Sequence, residues 1–151
     1  MNTEILDSIA EDLFTIPPLI GRSIRRKLLR IAMAHIQEDI SPPHFEIMKT
    51  LEEAGVLHVT EIGERLQIPK PQMTHLIDKL VFLEMVERQP DANDRRIINI
   101  TLTSKGKTLL KKHRRMIEDA IKKSLASLTD EELAELSTSL RKLRQIFLKL
   151  E

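Results

Sequence analysis

Residues 60–80 read TEIGERLQIPKPQMTHLIDKL. Two short apolar stripes at helical spacing lie either side of a break. Ile62 and Leu66 share one face of the first segment. Gln67-Ile68-Pro69-Lys70 is a turn, and Pro71 suits the first position of the next helix. There Met73, Leu76, Ile77 and Leu80 follow i, i+3, i+4, i+7 and bury one face. The other face carries Pro71, Gln72, His75, Asp78 and Lys79, with Thr74 on its flank. The spacing predicts helices over 60–67 and 71–85, the first capped by Thr60. Such a pair is a helix-turn-helix or, on spacing alone, an ordinary helical hairpin.

The segment downstream decides between them. Residues 86–106 read VERQPDANDRRIINITLTSKG. Ile98, Ile100 and Leu102 alternate with Asn99 and Thr101, a strand period of two. The polar run 89–95 separates this strand from one around Val86 and Arg88, so the segment predicts a hairpin, the only β-structure expected in the chain. A hairpin directly after the second helix is the wing of a winged helix-turn-helix.

The flanks read as helical. Upstream, Ser41-Pro42 opens a helix carrying Phe45, Met48 and Leu51 inward, ending at Ala54-Gly55. Residues 3–37 carry Ile5, Ile9, Leu13 and Ile16, then Ile20, Ile24, Leu28, Ile31 and Ile36, with Pro17-Pro18 forcing either two helices or one kinked helix. Downstream, Thr103 or Ser104 caps a helix over about 104–127 with Leu110, Ile117, Ile121 and Leu125 as its stripe. Thr129 and Glu132 form a capping box. The last helix spaces Leu133, Leu136, Leu140, Leu143, Phe147 and Leu150 by 3, 4, 3, 4, 3, a seam suited to burial between helices, within the chain or between two chains.

Composition narrows the field. The chain has 151 residues, 41% hydrophobic and 3% aromatic, with four Gly, so the core is aliphatic and mostly helical. With no Cys, disulfide scaffolds, thiolate metal sites and Cys nucleophiles are excluded. No apolar run reaches the ~18 residues of a membrane span, and the acidic N-terminus lacks a signal peptide's basic start, so a cytoplasmic location is expected. The net charge is +1. Residues 41–106 hold eight Lys and Arg against ten Asp and Glu, a net of −2, which by itself does not suggest a polyanion partner. The five histidines (His35, His44, His58, His75 and His113) include no i, i+4 pair, and no nucleophile motif or phosphate loop is present. No metal, cofactor or catalytic residue is expected.

The pattern points to DNA. A helix with a polar outer face enters a major groove, and wing arginines enter or flank the minor groove. Lys70, Gln72, Thr74, His75 and Lys79 are the candidates for base or phosphate contact on the second helix, and Thr60 for backbone contact at the first. Arg95 and Arg96 lie at the hairpin tip, where Asp94 can hold one of them bidentately. Arg88 supports the wing or meets phosphate, and Asp78 is to pair with Lys79, Arg96 or a neighbouring helix.

Several segments resemble the MarR family of transcription regulators. Asp94-Arg95-Arg96 with the strand and Leu102-Thr103-Ser104-Lys105-Gly106 resembles its wing, D-x-R then L-T-x-x-G. Val59–Leu66 resembles its supporting helix, Met73–Leu80 its recognition helix (V-T-R-L-V-D-R-L), and Leu83–Arg88 the G-L-V-E-R entry to the wing. Departures are His75 for Arg, Gly63 for Ala, and Glu84-Met85 for Gly-Leu. The resemblance implies a mainly α fold with a small β-hairpin wing (α+β), a winged helix-turn-helix flanked by N- and C-terminal dimerisation helices. The expected parts are 1–37 and 107–151 for dimerisation and 41–106 for DNA binding. It implies a homodimer with recognition helices about 34 Å apart on a pseudo-palindromic operator. It also implies a repressor released by a small anionic or aromatic ligand, with Arg22, Arg26, His44 and Met48 as candidates for the effector crevice. A metal-responsive regulator of this fold and a winged-helix protein–protein adaptor that does not bind DNA remain as alternatives.

Overall fold

The computed structural model describes residues 2–25, 30 and 39–150. The chain divides into two compact units, Met1–Ala32 with Met116–Glu151, and Met33–Arg115. The second unit therefore keeps residues 107–115, which the sequence groups with the C-terminal helices.

In the first unit, α1 (Thr3–Ile20) continues through Pro17 and Pro18 and passes into a π-helical turn, Gly21–Arg25. The Gly21 N–H is shared between the Pro17 and Pro18 carbonyls. Prolines supply no N–H to the ladder, and the wide turn after them is one way a helix absorbs the disturbance. The helix expected beyond residue 25 falls largely outside the described residues. The last helix of the chain, Asp130–Phe147, starts as expected: Glu132 N–H donates to Thr129 Oγ1 (3.2 Å) and Thr129 N–H to Glu132 Oε2 (2.8 Å).

The second unit is built in chain order from α2 (Pro42–Ala54), β1 (Val56–His58), α3 (Val59–Leu66), α4 (Lys70–Phe82), β2 (Val86–Pro90), β3 (Ile98–Leu102) and the start of α5 (Ser104–Ser124). By the same count the C-terminal helix is α6. The sheet is antiparallel with order β1-β3-β2 and has three strands, one more than expected. β1 pairs Leu57 with Ile100, and three residues after Gly55 (φ 84°) carry too little period to be read in advance. In the hairpin, Val86 faces Leu102 and Pro90 faces Ile98, the proline closing the edge strand where no ladder N–H is needed.

One aliphatic core holds this unit. Phe45, Met48 and Leu51 from α2, Ile62 from α3, Met73, Leu76, Ile77 and Leu80 from α4, Ile100 from β3 and Leu110 from α5 are buried together, as their spacing predicts. Ile40, Ile47, Leu57, Met85 and Val86 complete it. Phe45 stacks on His113 with ring centroids 4.1 Å apart, so the one core aromatic ties α2 to α5.

Two helix boundaries differ from expectation. α3 begins one residue early, capped by His58 and Glu61 and not by Thr60, which sits in the exposed first turn. α4 stops at Phe82, short of 85. There Glu84 N–H donates to Val81 O and Met85 N–H to Leu80 O, both 2.9 Å, with Glu84 at φ 61°. This is a Schellman closure, and burial of Met85 over Leu80 supplies its apolar contact. The left-handed position normally takes glycine. Glu84→Gly is therefore expected to raise the unfolding free energy by about 1 kcal/mol, read as a higher urea midpoint at unchanged slope.

Candidate nucleic-acid interface

The sequence of α4 divides its surface cleanly. Its stripe of Met73, Leu76, Ile77 and Leu80 is buried, while Lys70, Pro71, Gln72, Thr74, His75 and Asp78 are exposed, Lys79 is half-buried, and Phe82 at the C-terminal end is exposed. Thr74 Oγ1 donates to Lys70 O at 3.2 Å, which directs its hydroxyl along the helix. Gln67 takes φ 54° where α3 turns into α4, and Ile68 N–H returns to Gly63 O at 2.9 Å. A Cβ on Gly63 would lie 3.1 Å from both Ile68 O and Met73 Cγ, so the turn and α4 pack close against α3.

The wing tip is ordered by two carboxylates. Asp91 Oδ1 accepts from the N–H groups of Asn93 (2.8 Å) and Asp94 (3.2 Å), and its Oδ2 from Asn99 Nδ2 (3.2 Å). Asp94 grips Arg96 from both oxygens, Nε to Oδ1 and Nη2 to Oδ2, each 3.1 Å, and accepts the Arg96 N–H at 3.0 Å. The bidentate pair expected of Asp94 thus forms with Arg96, whose side chain stays 90% exposed. A guanidinium is held in one orientation while its outer edge faces solvent. Arg95 is exposed beside it. The Asn93 N–H, then Asn99 and Asp94, hold Asp91 below the usual carboxylate range, and Arg96 does the same for Asp94.

Other candidates have partners that spacing could not reveal. Asp78 pairs with Arg88 across ten residues, and not with Lys79 or Arg96, so this ion pair bridges α4 to β2. Lys79 Nζ lies 3.4 Å from Asp39 Oδ2, a residue that drew no notice in the sequence.

The four effector candidates do not assemble within one described unit. Arg22 is exposed in the π-helical turn, and Arg26 lies outside the described residues. Met48 is fully buried in the core of the second unit. His44 is buried as the third residue of α2, where Nδ1 accepts the Ser41 N–H at 3.0 Å and meets Ser41 Oγ at 2.7 Å. The cap engages His44, and the core encloses Met48. Among the described residues no three His, Asp or Glu side chains converge as a metal site, and no helix is long and apolar enough to cross a membrane.

Both buried histidines favour the neutral ring. Burial first, and the Lys79 charge next, lower the pKa of His44 against a smaller opposite pull from Asp39. Burial and then Lys49 lower that of His113. In the unfolded chain each titrates near its ordinary value of 6.5. Protonation therefore favours unfolding: stability is complete above that value and is lost as pH falls through it toward the folded-state values. Urea titrations between about pH 7.5 and about pH 5 are expected to show a falling unfolding free energy, by at most about 1.4 kcal/mol per pH unit for each histidine. His113→Phe should flatten the fall, and an unchanged pH dependence in that variant would remove His113 from the account.

Comparison with known proteins agrees with this geometry. The model of the MarR family matches residues 40–98. An uncharacterized HTH-type transcriptional regulator of Bacillus subtilis, YsmB, is 32% identical over 108 residues, 72% of this chain and 74% of the relative. The crystal structure of YusO from the same species matches with a TM-score of 0.71 at 24% identity, covering 92% of this chain and 96% of that one. A mutant of MarR from Escherichia coli, complexed with operator DNA, matches with a TM-score of 0.58 at 23% identity over 91% of this chain and 96% of that one. These two structural likenesses are likenesses of fold.

Proposed function

This chain belongs to the MarR family, and from that premise we propose that it is a homodimeric transcription repressor that binds a pseudo-palindromic operator and is released by a small ligand. The family is one of transcription regulators, not of enzymes. One observation carries the DNA-binding reading: α4 exposes Lys70, Gln72, Thr74 and His75 in the same unit whose wing presents Arg96 fixed by Asp94. A polar recognition helix suits a major groove, and a braced, exposed guanidinium suits the minor groove beside it. Lys79 adds a phosphate contact, Thr60 offers a helix N-terminal turn to the backbone, and Arg95 flanks Arg96. Arg88, held by Asp78, keeps the wing in register with α4. The likeness to a MarR structure holding operator DNA supports this reading.

The dimer reading rests on the first unit. Ile5, Ile9, Leu13 and Ile16 on α1, and Leu140, Leu143 and Phe147 on α6, are exposed in a single chain. Apolar stripes left exposed on α1 and on α6 are surfaces that call for a partner. A dimer seated on its operator would exclude polymerase, hence repression. A ligand that prefers a different separation of the two recognition helices would shift the population off DNA. For that ligand we keep the chemical class, small and anionic or aromatic, with Arg22, Arg26, His44 and Met48 as candidates for its crevice.

The test is selection of bound duplexes from a random pool, which is expected to return an inverted repeat. On that duplex Arg96→Ala should weaken binding by about 10-fold, within the 1–3 kcal/mol of a specific arginine contact, while the variant sediments as wild type. Full affinity in Arg96→Ala would refute the wing assignment, and the absence of any enriched sequence would favour the adaptor reading.

A further inference from the structure

Three candidate phosphate-binding cations sit against carboxylates: Arg96 on Asp94, Arg88 on Asp78 and Lys79 on Asp39. The first two pairs brace structure, one the wing tip and the other the joint of α4 with β2. The third is different. The Asp39 side chain is 97% exposed, and Lys79 is its one ion-pair partner among the described residues. Asp39 does not cap α2, since Ser41 and His44 do that. The contact is single-ended and long, 3.4 Å, as expected of a solvated pair that contributes little to folding.

Lys79 nevertheless stands in line with Gln72 and His75, at i, i+3 and i+7 on the outer face of α4. A carboxylate on the amine of this lysine occupies the position a phosphate oxygen would take. Resting on the reading of α4 as the DNA-facing helix, we propose that Asp39 masks Lys79 against DNA phosphates. A backbone phosphate arriving at the amine must displace Asp39 or share the lysine with it, and the two anions repel well inside the screening length of about 10 Å. The mask acts on contacts made by charge alone, which are the whole of binding to mixed-sequence DNA. Its effect is to hold the protein off DNA that offers no base contacts.

The experiment uses the full chain and a duplex of mixed sequence, so no operator is needed. Dissociation constants are measured across a salt series for wild type, Asp39→Asn, Lys79→Gln and the double variant. Asp39→Asn is expected to bind about 2–5-fold tighter at low salt, with the salt slope steeper by up to about 0.9, one phosphate contact. In the Lys79→Gln background the same change should have a clearly smaller effect, and the unfolding midpoint should stay where it is. Unchanged affinity in Asp39→Asn, an equal gain with and without Lys79, or a lowered unfolding midpoint would each overturn the mask while leaving the DNA-binding reading standing. Wild type that fails to bind any duplex at low salt would overturn both.

Discussion

Gly106→Ala is expected to destabilise the winged unit by about 2–3 kcal/mol, although the same change inside most helices stabilises by up to about 1 kcal/mol. Gly106 lies in the first turn of α5, where an added Cβ would stand 2.2 Å from Met85 O and 3.0 Å from Leu102 Cδ2. The carbonyl cannot rotate aside, because it accepts the Thr103 N–H at 3.1 Å. Around it the end of α4 is tied to the start of α5 by Thr103 Oγ1 donating to Glu84 O at 2.6 Å and Lys105 Nζ donating to Leu83 O at 2.8 Å. The methyl group must push these two helix ends apart, and with them the base of the wing. Chemical denaturation should show a lower midpoint, and DNA binding should weaken with it. Gly63→Ala is the control, since its closest approaches are 3.1 Å and one is to the flexible Met73 side chain; its effect should be much smaller. An unchanged or raised midpoint in Gly106→Ala would show that α5 can shift without strain.

That joint also shows what a sequence can and cannot disclose. The glycine of L-T-x-x-G was visible at residue 106, but its reason was not, because the oxygen it must avoid belongs to Met85, 21 positions earlier. Period and punctuation carried most of the fold. The α4 stripe, the Ser41 start of α2 and the Thr129–Glu132 box are local, and each settles on what its own segment can bury or cap. β1 escaped because three residues give no period, and its partner β3 lies far downstream in the chain. The end of α4 escaped for another reason. A non-glycine residue carries the left-handed closure at Glu84, so the signal that ends a helix was absent although the geometry was present.

The site divides the same way. Asp94 and Arg96 are two residues apart, and a carboxylate that close to a guanidinium on a tight turn has few alternatives. Asp78 reaches Arg88 over ten residues and Asp39 reaches Lys79 over forty, and nothing in local spacing selects one acid over another. Within residues 41–106 Asp78 and Asp94 each sit on an arginine, which is why the charge count of that stretch conceals its cations. Acids that sit on cations lower the net charge without removing the cations from the surface. A net of −2 is compatible with a polyanion-binding face once the pairs are drawn.

Replacing Leu140 and Leu143 together by Glu is expected to convert a dimer to monomers at micromolar concentration and to reduce operator affinity by two orders of magnitude or more. Both leucines lie on the α6 seam and are about half exposed in the single chain, 52% and 47%. In a dimer of two-fold symmetry each substitution counts twice, so four leucines leave the interface. At roughly 1.5–3 kcal/mol for a fully buried leucine, half-exposed residues still place several kcal/mol at stake. Four carboxylates brought into that apolar contact add a desolvation penalty. Association is the more sensitive readout, because the winged unit keeps its own core and should unfold with nearly its original midpoint. Operator binding falls because a lone protomer reads one half-site and loses the effective concentration that the second provides, worth about 10²–10⁴ in affinity. Sedimentation measures the first effect, and titration of a full and a half-site duplex measures the second. The full-site advantage should vanish in the variant while half-site binding persists. A variant that still sediments at twice the chain mass would place the interface elsewhere than on this seam.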